Sequence, residues 1–153
     1  MTVNADNGFT LIELMMVIAL MGILAGIATP LFSAYRQRAQ IAACVAGMKV
    51  IEQAVISYSI ENGEYPDSLE TVGLDGLKDP WGKPYQYLKI AGTVKGGLGL
   101  ARKDHFMVPI NTDFDLYSMG PDGQSKPPLT TKASQDDIIR ANDGQYFGSA
   151  ASY

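Results

Sequence analysis

An intramolecular disulfide is beyond this chain: its 153 residues hold one cysteine, Cys44, and one histidine, His105. A fold exported to an oxidising compartment must then rely on its core, on partners or on a bound ion. A zinc centre lacks both the thiolates and the imidazoles it needs. Basic clusters are missing as well. The twelve Lys and Arg are scattered, with no grouping beyond Arg36/Arg38 and Arg102/Lys103, and the net charge is −4 with a pI of about 4.8. This excludes the basic stripe of a nucleic-acid binder. Charge of either sign is missing altogether from residues 14–30, and no Lys or Arg precedes Arg36.

What is present is an apolar run long enough to matter. Residues 11–31 number 21, about 31 Å of helix at ~1.5 Å per residue, which matches a bilayer core of about 30 Å. A secretory signal peptide fits poorly. It calls for a basic stretch before the apolar one, a shorter core and a small-x-small cleavage site, whereas residues 1–8 carry Asp6 and no basic residue. A plain membrane anchor is the simpler alternative, and Glu13 speaks against it. A carboxylate at the edge of an apolar span costs about 2.5 kcal/mol or more if central and unpaired. No Lys or Arg lies within the span to pair with it. A free α-amino group, made by cleavage just upstream on this chain or a neighbour, is the remaining candidate.

Gly8-Phe9-Thr10-Leu11-Ile12-Glu13-Leu14 resembles the class III signal of type IV pilins and type II secretion pseudopilins. The resemblance implies cleavage between Gly8 and Phe9 by a prepilin peptidase, and N-methylation of Phe9 by the same peptidase/methyltransferase. It also implies that Glu13 neutralises the Phe9 amine of an adjacent subunit during assembly. It further implies that the helix between Gly22 and Pro30 melts when subunits enter a filament; a merely kinked anchor is the other reading of those two residues. The positive-inside rule by itself would keep the part after Arg36 and Arg38 in the cytoplasm. The cleavage motif, which is more specific, places it on the far side of the membrane.

Beyond Pro30 the pattern changes from all-apolar to amphipathic. Ile41, Cys44, Met48, Ile51, Val55 and Tyr58 recur at spacings of 3, 4, 3, 4 and 3, one stripe of a helix. Asn62-Gly63 supplies a stop. The helix is expected over about residues 10–62, roughly 80 Å. Asp67 with Glu70 reads as a capping box for a short helix closed by Gly73. Asp79-Pro80-Trp81-Gly82 has turn chemistry. Strands are expected over residues 85–90, 106–110 and 114–118, and a loop over residues 92–99, whose glycines lack the setting of a phosphate-binding loop. Trp81, Tyr85 and Tyr87 are expected to pack the head onto the helix rather than bind a ligand. The fold class is α+β: a long N-terminal helix, half transmembrane and half amphipathic, packed on a small antiparallel sheet with a long C-terminal loop. The expected parts are a leader over residues 1–8, a transmembrane and assembly helix over 9–32, an amphipathic helix over 33–62 and a globular head over 63–153.

Three further segments narrow the resemblance. Asp79-Pro80-Trp81-Gly82-Lys83-Pro84-Tyr85-Gln86-Tyr87, Asp115-Leu116-Tyr117-Ser118-Met119-Gly120-Pro121-Asp122-Gly123 and Asp136-Asp137-Ile138 are similar to stretches of the type II secretion major pseudopilin. That family's C-terminal loop wraps Ca²⁺, which takes six to eight oxygens. The resemblance implies carboxylates from Asp122, Asp136 and Asp137 and a carbonyl from Met119. In physical terms Ser134-x-x-Asp137 is equally a helix cap and Asp122-Gly123 a simple turn. The loop over residues 120–135 is also longer and richer in Pro and Lys than the family's Gly-rich version. His105 beside Asp104 has no nucleophile motif to serve, so no enzyme is expected. The resemblance implies a structural subunit that polymerises with copies of itself and with minor pseudopilins. It would do so on an inner-membrane assembly platform, into a periplasmic filament driving protein secretion. The alternatives are a pilin of a true surface pilus and a membrane-tethered binding module that never polymerises.

Overall fold

The computed structural model describes residues 8–93, 99–105 and 107–153. The chain divides into two units, Met1–Arg38 and Ala39–Tyr153. One helix, α1 (Leu11–Asn62), supplies residues to both. In the first unit α1 continues through Gly22, Gly26 and Pro30, and residues 8–29 and 31–38 are all exposed. It is the only helix among the described residues long and apolar enough to cross a membrane.

In the second unit the expected stripe is the core. Cys44, Met48, Ile51 and Val55 are each 0% exposed. The helix ends where the sequence indicates: Gly63 takes φ 77° and its N–H donates to the Ser59 carbonyl at 2.9 Å, a left-handed closing residue that glycine adopts without steric cost. Four strands follow, β1 (Gln86–Lys89), β2 (Phe114–Ser118), β3 (Ile138–Ala141) and β4 (Tyr146–Ser149), in a sheet ordered β1-β2-β3-β4. Every pairing is antiparallel, with Tyr87 opposite Leu116, Tyr117 opposite Ile139 and Arg140 opposite Phe147.

Alternation along these strands feeds two separate cores. Phe114, Leu116 and Ile138 join the α1 stripe, together with Leu69 and Tyr85. Ile139 and Ala141 point the other way, joining Ile110, Leu129 and Ala150 under the C-terminal loop, with Tyr117, Tyr146 and Tyr153 alongside. The sheet is therefore covered on both faces. The three aromatics of the 79–87 segment pack as expected. Trp81 and Tyr87 lie against the first core. The Tyr85 hydroxyl donates to the Cys44 carbonyl at 3.2 Å and the Tyr87 hydroxyl to the Pro66 carbonyl at 2.7 Å.

Three local expectations change. The short helix is a single 3₁₀ turn, Leu69–Val72, preceded by Ser68 with no side-chain cap. Asp67 instead pairs with Lys89 at 2.9 Å, while Gly73 closes the turn at φ 70° as expected. The strand expected over residues 106–110 is absent over 107–110, and Phe106 lies outside the described residues, as do residues 94–98 of the expected 92–99 loop. Pro109 has no N–H for a ladder, and Ile110 bonds instead to the Arg102 carbonyl at 3.0 Å. The hairpin β3–β4 takes the place of the alternative helix cap at Ser134 to Asp137. Its turn uses Asn142 and Asp143 at φ 52° and 53° and Gly144 at φ 89°, residue types that enter the left-handed region. Asp143 is held there by the Thr112 N–H and hydroxyl, both at 2.7 Å.

Arg140 ties α1 to this sheet. Its side chain is 1% exposed and donates to Glu52 of α1 at 2.7 Å and to both Asp113 oxygens at 2.8 and 2.6 Å. The guanidinium stacks 4.0 Å above the centre of the Phe114 ring. Breaking a buried pair costs about 3–5 kcal/mol; because Glu52 and Asp113 keep some water, Arg140→Met is expected to cost about 3 kcal/mol, on the order of 10 °C in thermal unfolding of the detergent-solubilised chain. A loss below about 1 kcal/mol, the level of a surface pair, would remove this role. A Cβ at Gly47 would meet the Tyr85 hydroxyl. Gly47→Ala therefore sets a gain of about 1 kcal/mol in helix propensity against about 1–3 kcal/mol of overpacking. A net loss is expected, recovered when Tyr85→Phe is added; a net gain in the single variant would show that Tyr85 moves aside freely.

Candidate processing segment and C-terminal loop

Gly8 and Phe9 precede the first turn of α1 and both are exposed, Phe9 at 87%. Residues 8–10 are open chain ahead of the helix. Glu13 has a local hydrogen-bonding partner, Thr10. Its Oε2 accepts the Thr10 N–H and the Thr10 hydroxyl, both at 2.9 Å, while the Glu13 N–H donates back to Thr10 Oγ1 at 3.3 Å. Thr10-x-x-Glu13 is thus a capping box, legible in the sequence as Thr followed three residues later by Glu before an apolar run. The box satisfies otherwise orphaned N–H groups and sets a negative charge at the positive end of the helix dipole. It leaves the carboxylate's charge uncancelled. Large apolar side chains exposed around it include Leu11, Ile12, Leu14, Met15 and Met16. Gly22 lies midway along the span with open space at its Cβ position, and Pro30 falls within the helix.

The C-terminal loop brings the four expected calcium ligands into one region without forming a cage from them. The Met119 carbonyl accepts the Gly123 N–H at 3.1 Å. Asp122 is exposed, and its Oδ1 accepts the Gln124 N–H at 2.7 Å. Asp136 Oδ2 accepts the Asp122 N–H at 3.2 Å. Asp137 is turned inward and 0% exposed, where its Oδ2 accepts from the Ser125 hydroxyl at 2.6 Å and pairs with the Arg102 guanidinium. Burial pushes the Asp137 carboxyl up to about 6, against the pull of the Ser125 hydroxyl and Arg102. It remains the anion at neutral pH. No group of three or more His, Cys, Asp or Glu side chains placed for a metal occurs among the described residues. As arranged, the donors do not fit a six-to-eight-oxygen site: one of the three carboxylates already faces a buried cation.

Two residues that the sequence reading passed over organise this loop. Arg102 is 2% exposed and donates to the Ser125 hydroxyl at 2.7 Å and the Lys126 carbonyl at 2.6 Å as well as to Asp137. Its N–H bonds Asp115 Oδ2 at 2.5 Å. Burial raises the Asp115 carboxyl, and the bonds from Arg102 and Asn111 oppose the rise. Lys83 reaches the Pro121 carbonyl at 3.1 Å. The two remaining family-like segments meet at Asp79, whose Oδ1 caps the N–H groups of Trp81 and Lys83 at 3.0 and 2.8 Å and whose Oδ2 accepts the Ser118 hydroxyl at 2.5 Å. Neither Arg102 nor Lys83 carries a sequence signal beyond an ordinary surface cation. His105 is exposed beside Asp104, and burial pushes the Cys44 thiol up to about 11, away from thiolate chemistry.

Comparison with known proteins agrees with this architecture. Residues 3–29 match the prokaryotic N-terminal methylation motif. The chain is 31% identical to the type II secretion system core protein G of Pseudomonas aeruginosa, over 78% of this chain and 86% of that protein. It is 29% identical to the same core protein of Aeromonas hydrophila, over 78% and 86%. It is also 36% identical to a fimbrial protein of Neisseria meningitidis serogroup B, over 89% of this chain and 84% of that one. With the methylation motif at its N-terminus, the exposed apolar helix behind it and a helix stripe packed on a four-stranded sheet, the chain belongs to the type IV pilin-like family, as a relative of the type II secretion system core protein G.

Proposed function

We propose that this chain is a pseudopilin, cleaved after Gly8 and methylated on Phe9, whose copies polymerise into the periplasmic filament of a type II secretion system. The observation that carries the proposal is the first unit of the chain. Its helix exposes apolar side chains over the length of a membrane span, with one carboxylate, Glu13, at the leading edge. Held as a monomer in the inner membrane, this surface is covered by lipid; drawn from lipid, it needs copies of itself as cover. Glu13 then meets the amine of Phe9 on a neighbour, and each charge removes the cost of the other. Melting between Gly22 and Pro30 would let the helix adjust as it packs, since both residues weaken a helix interior. The head, residues 63–153, sits in the periplasm. Minor pseudopilins, the prepilin peptidase and an assembly platform in the inner membrane are the other partners. The role is structural, not enzymatic. The 36% identity to a fimbrial protein over 89% of the chain favours a true surface pilus as the second reading. Secretion of exoproteins lost in a deletion strain, with twitching intact, supports the first; the reverse pattern supports the second.

The capping box makes the test of Glu13 sharper than a single alanine. Gln still completes a capping box but cannot cancel an amine. An uncompensated charge in lipid costs about 2.5 kcal/mol, a factor of roughly 60 in an assembly equilibrium. Glu13→Gln and Glu13→Ala are both expected to insert in the membrane and to lose filaments to at least that extent, measured by sheared-filament yield. Filaments retained in Glu13→Gln but lost in Glu13→Ala would assign Glu13 to the cap alone. Filaments retained in both would show that assembly does not depend on this charge and would remove the proposed pairing of Glu13 with Phe9.

A further inference from the structure

We infer that the C-terminal loop is held by cations resident in the chain itself, Arg102 above all and Lys83 at the loop's entry, in place of a divalent metal ion. Arg102 gathers a carboxylate oxygen of Asp137, a backbone carbonyl of Lys126 and the hydroxyl of Ser125. These are the hard oxygen types that a calcium ion collects. A guanidinium does this from a planar fork that stays charged at every physiological pH. The fork here is sealed from water, and its face lies 4.0 Å from the centre of the Tyr117 ring. The backbone around Arg102 is fixed on both sides: its N–H bonds Asp115, its carbonyl accepts the Ile110 N–H, and Lys103 next to it exchanges bonds with Pro127 and Leu129. The guanidinium is thus presented to the loop by the second core. At the other end Lys83 reaches the carbonyls of Gly120 and Pro121. Its side chain fills the space where a Cβ on Gly123 would stand, at a turn that already requires glycine by its φ of 70°.

A divalent ion added to this arrangement would meet a like charge. Asp137 Oδ1 is a buried oxygen with no hydrogen-bond partner in the structure, so it is the oxygen such an ion would take. The guanidinium held on the second oxygen of the same carboxylate repels it. The other carboxylates are engaged with their own loop, Asp122 with the Gln124 N–H and Asp136 with the Asp122 N–H. The guanidinium cancels the charge of the one buried carboxylate, which leaves an incoming ion only the more exposed Asp122 and Asp136 to draw on. A subunit built this way keeps its loop, and so the cover on one face of its sheet, in surroundings depleted of calcium.

The full-length chain in detergent is the material for the test, with calcium or EGTA in excess as the only variable. Equilibrium dialysis against radioactive calcium is expected to show no stoichiometric binding, and the melting temperatures in the two media should agree within about 2 °C. One calcium per chain, or a calcium-dependent rise on the order of 10 °C as expected for an ion well above its dissociation constant, would overturn the inference. Arg102→Met is expected to melt on the order of 10 °C lower in both media; an unchanged melting temperature would also overturn it. Should Arg102→Met fail to fold, limited trypsin digestion of the wild-type chain serves the same end. Cleavage after Lys132 is expected at the same slow rate in calcium and in EGTA, and fast cleavage confined to EGTA refutes the resident-cation lock.

Discussion

A sheet of four strands, each of four or five residues, cannot bury enough of its own surface to stand in water, and everything in the folded head follows from covering both of its faces. One face receives the apolar stripe of α1, with Cys44, Met48, Ile51 and Val55 sealed against Phe114, Leu116 and Ile138. The other receives the C-terminal loop and the 3₁₀ turn Ala150–Ser152, with Leu129 and Ala150 beside Ile139 and Ala141. No disulfide is available to tie either cover down. Each is fastened instead by a buried arginine. Arg140 joins Glu52 of the helix to Asp113 beside β2, and Arg102 joins the loop to Asp137 at the start of β3. The two forks stack on aromatic rings of β2, Phe114 on the helix face and Tyr117 on the loop face. Such forks cost desolvation and return it through geometry, so their weight lies in fixing one arrangement more than in net stability.

The membrane half of the chain obeys a different constraint. A helix that is exposed all round has no core to face, so its apolar surface is defined only by what surrounds it, lipid before assembly and copies of itself afterwards. Glu13 is the one charged residue at the leading edge of this surface. The Thr10 capping box engages its Oε2 and holds the carboxylate at the helix start, without cancelling its charge. The capping is a local task that an amide could share; the charge is what an amide would lack.

Much of the α1 stripe was readable because a 3.6-residue period is written in consecutive turns: the positions at spacings of 3 and 4 include all four that the head seals completely. The helix stop at Asn62-Gly63, the Asp79 turn and strand β2 were readable for similar reasons, each being a short-range pattern. Strands β3 and β4 were missed. Burial on both faces removes the alternation from β3, Ile138–Ala141, and the Asn142-Asp143-Gly144 turn that marks the hairpin follows a strand with no period to announce it.

By itself the sequence determined the signal ahead of the span, the span's length and lone carboxylate, and the phase of the amphipathic helix, because these depend on neighbours within a few residues. Only the tertiary structure decided the partners of the charged groups. Arg102 and Asp137 are 35 residues apart, and Arg140 and Glu52 are 88 apart. Whether an aspartate meets a metal ion, a helix end or an arginine depends on which face of the sheet the chain returns to. That is fixed by the register of β2 against β3, where a shift of one residue would exchange the two faces and separate every one of these pairs.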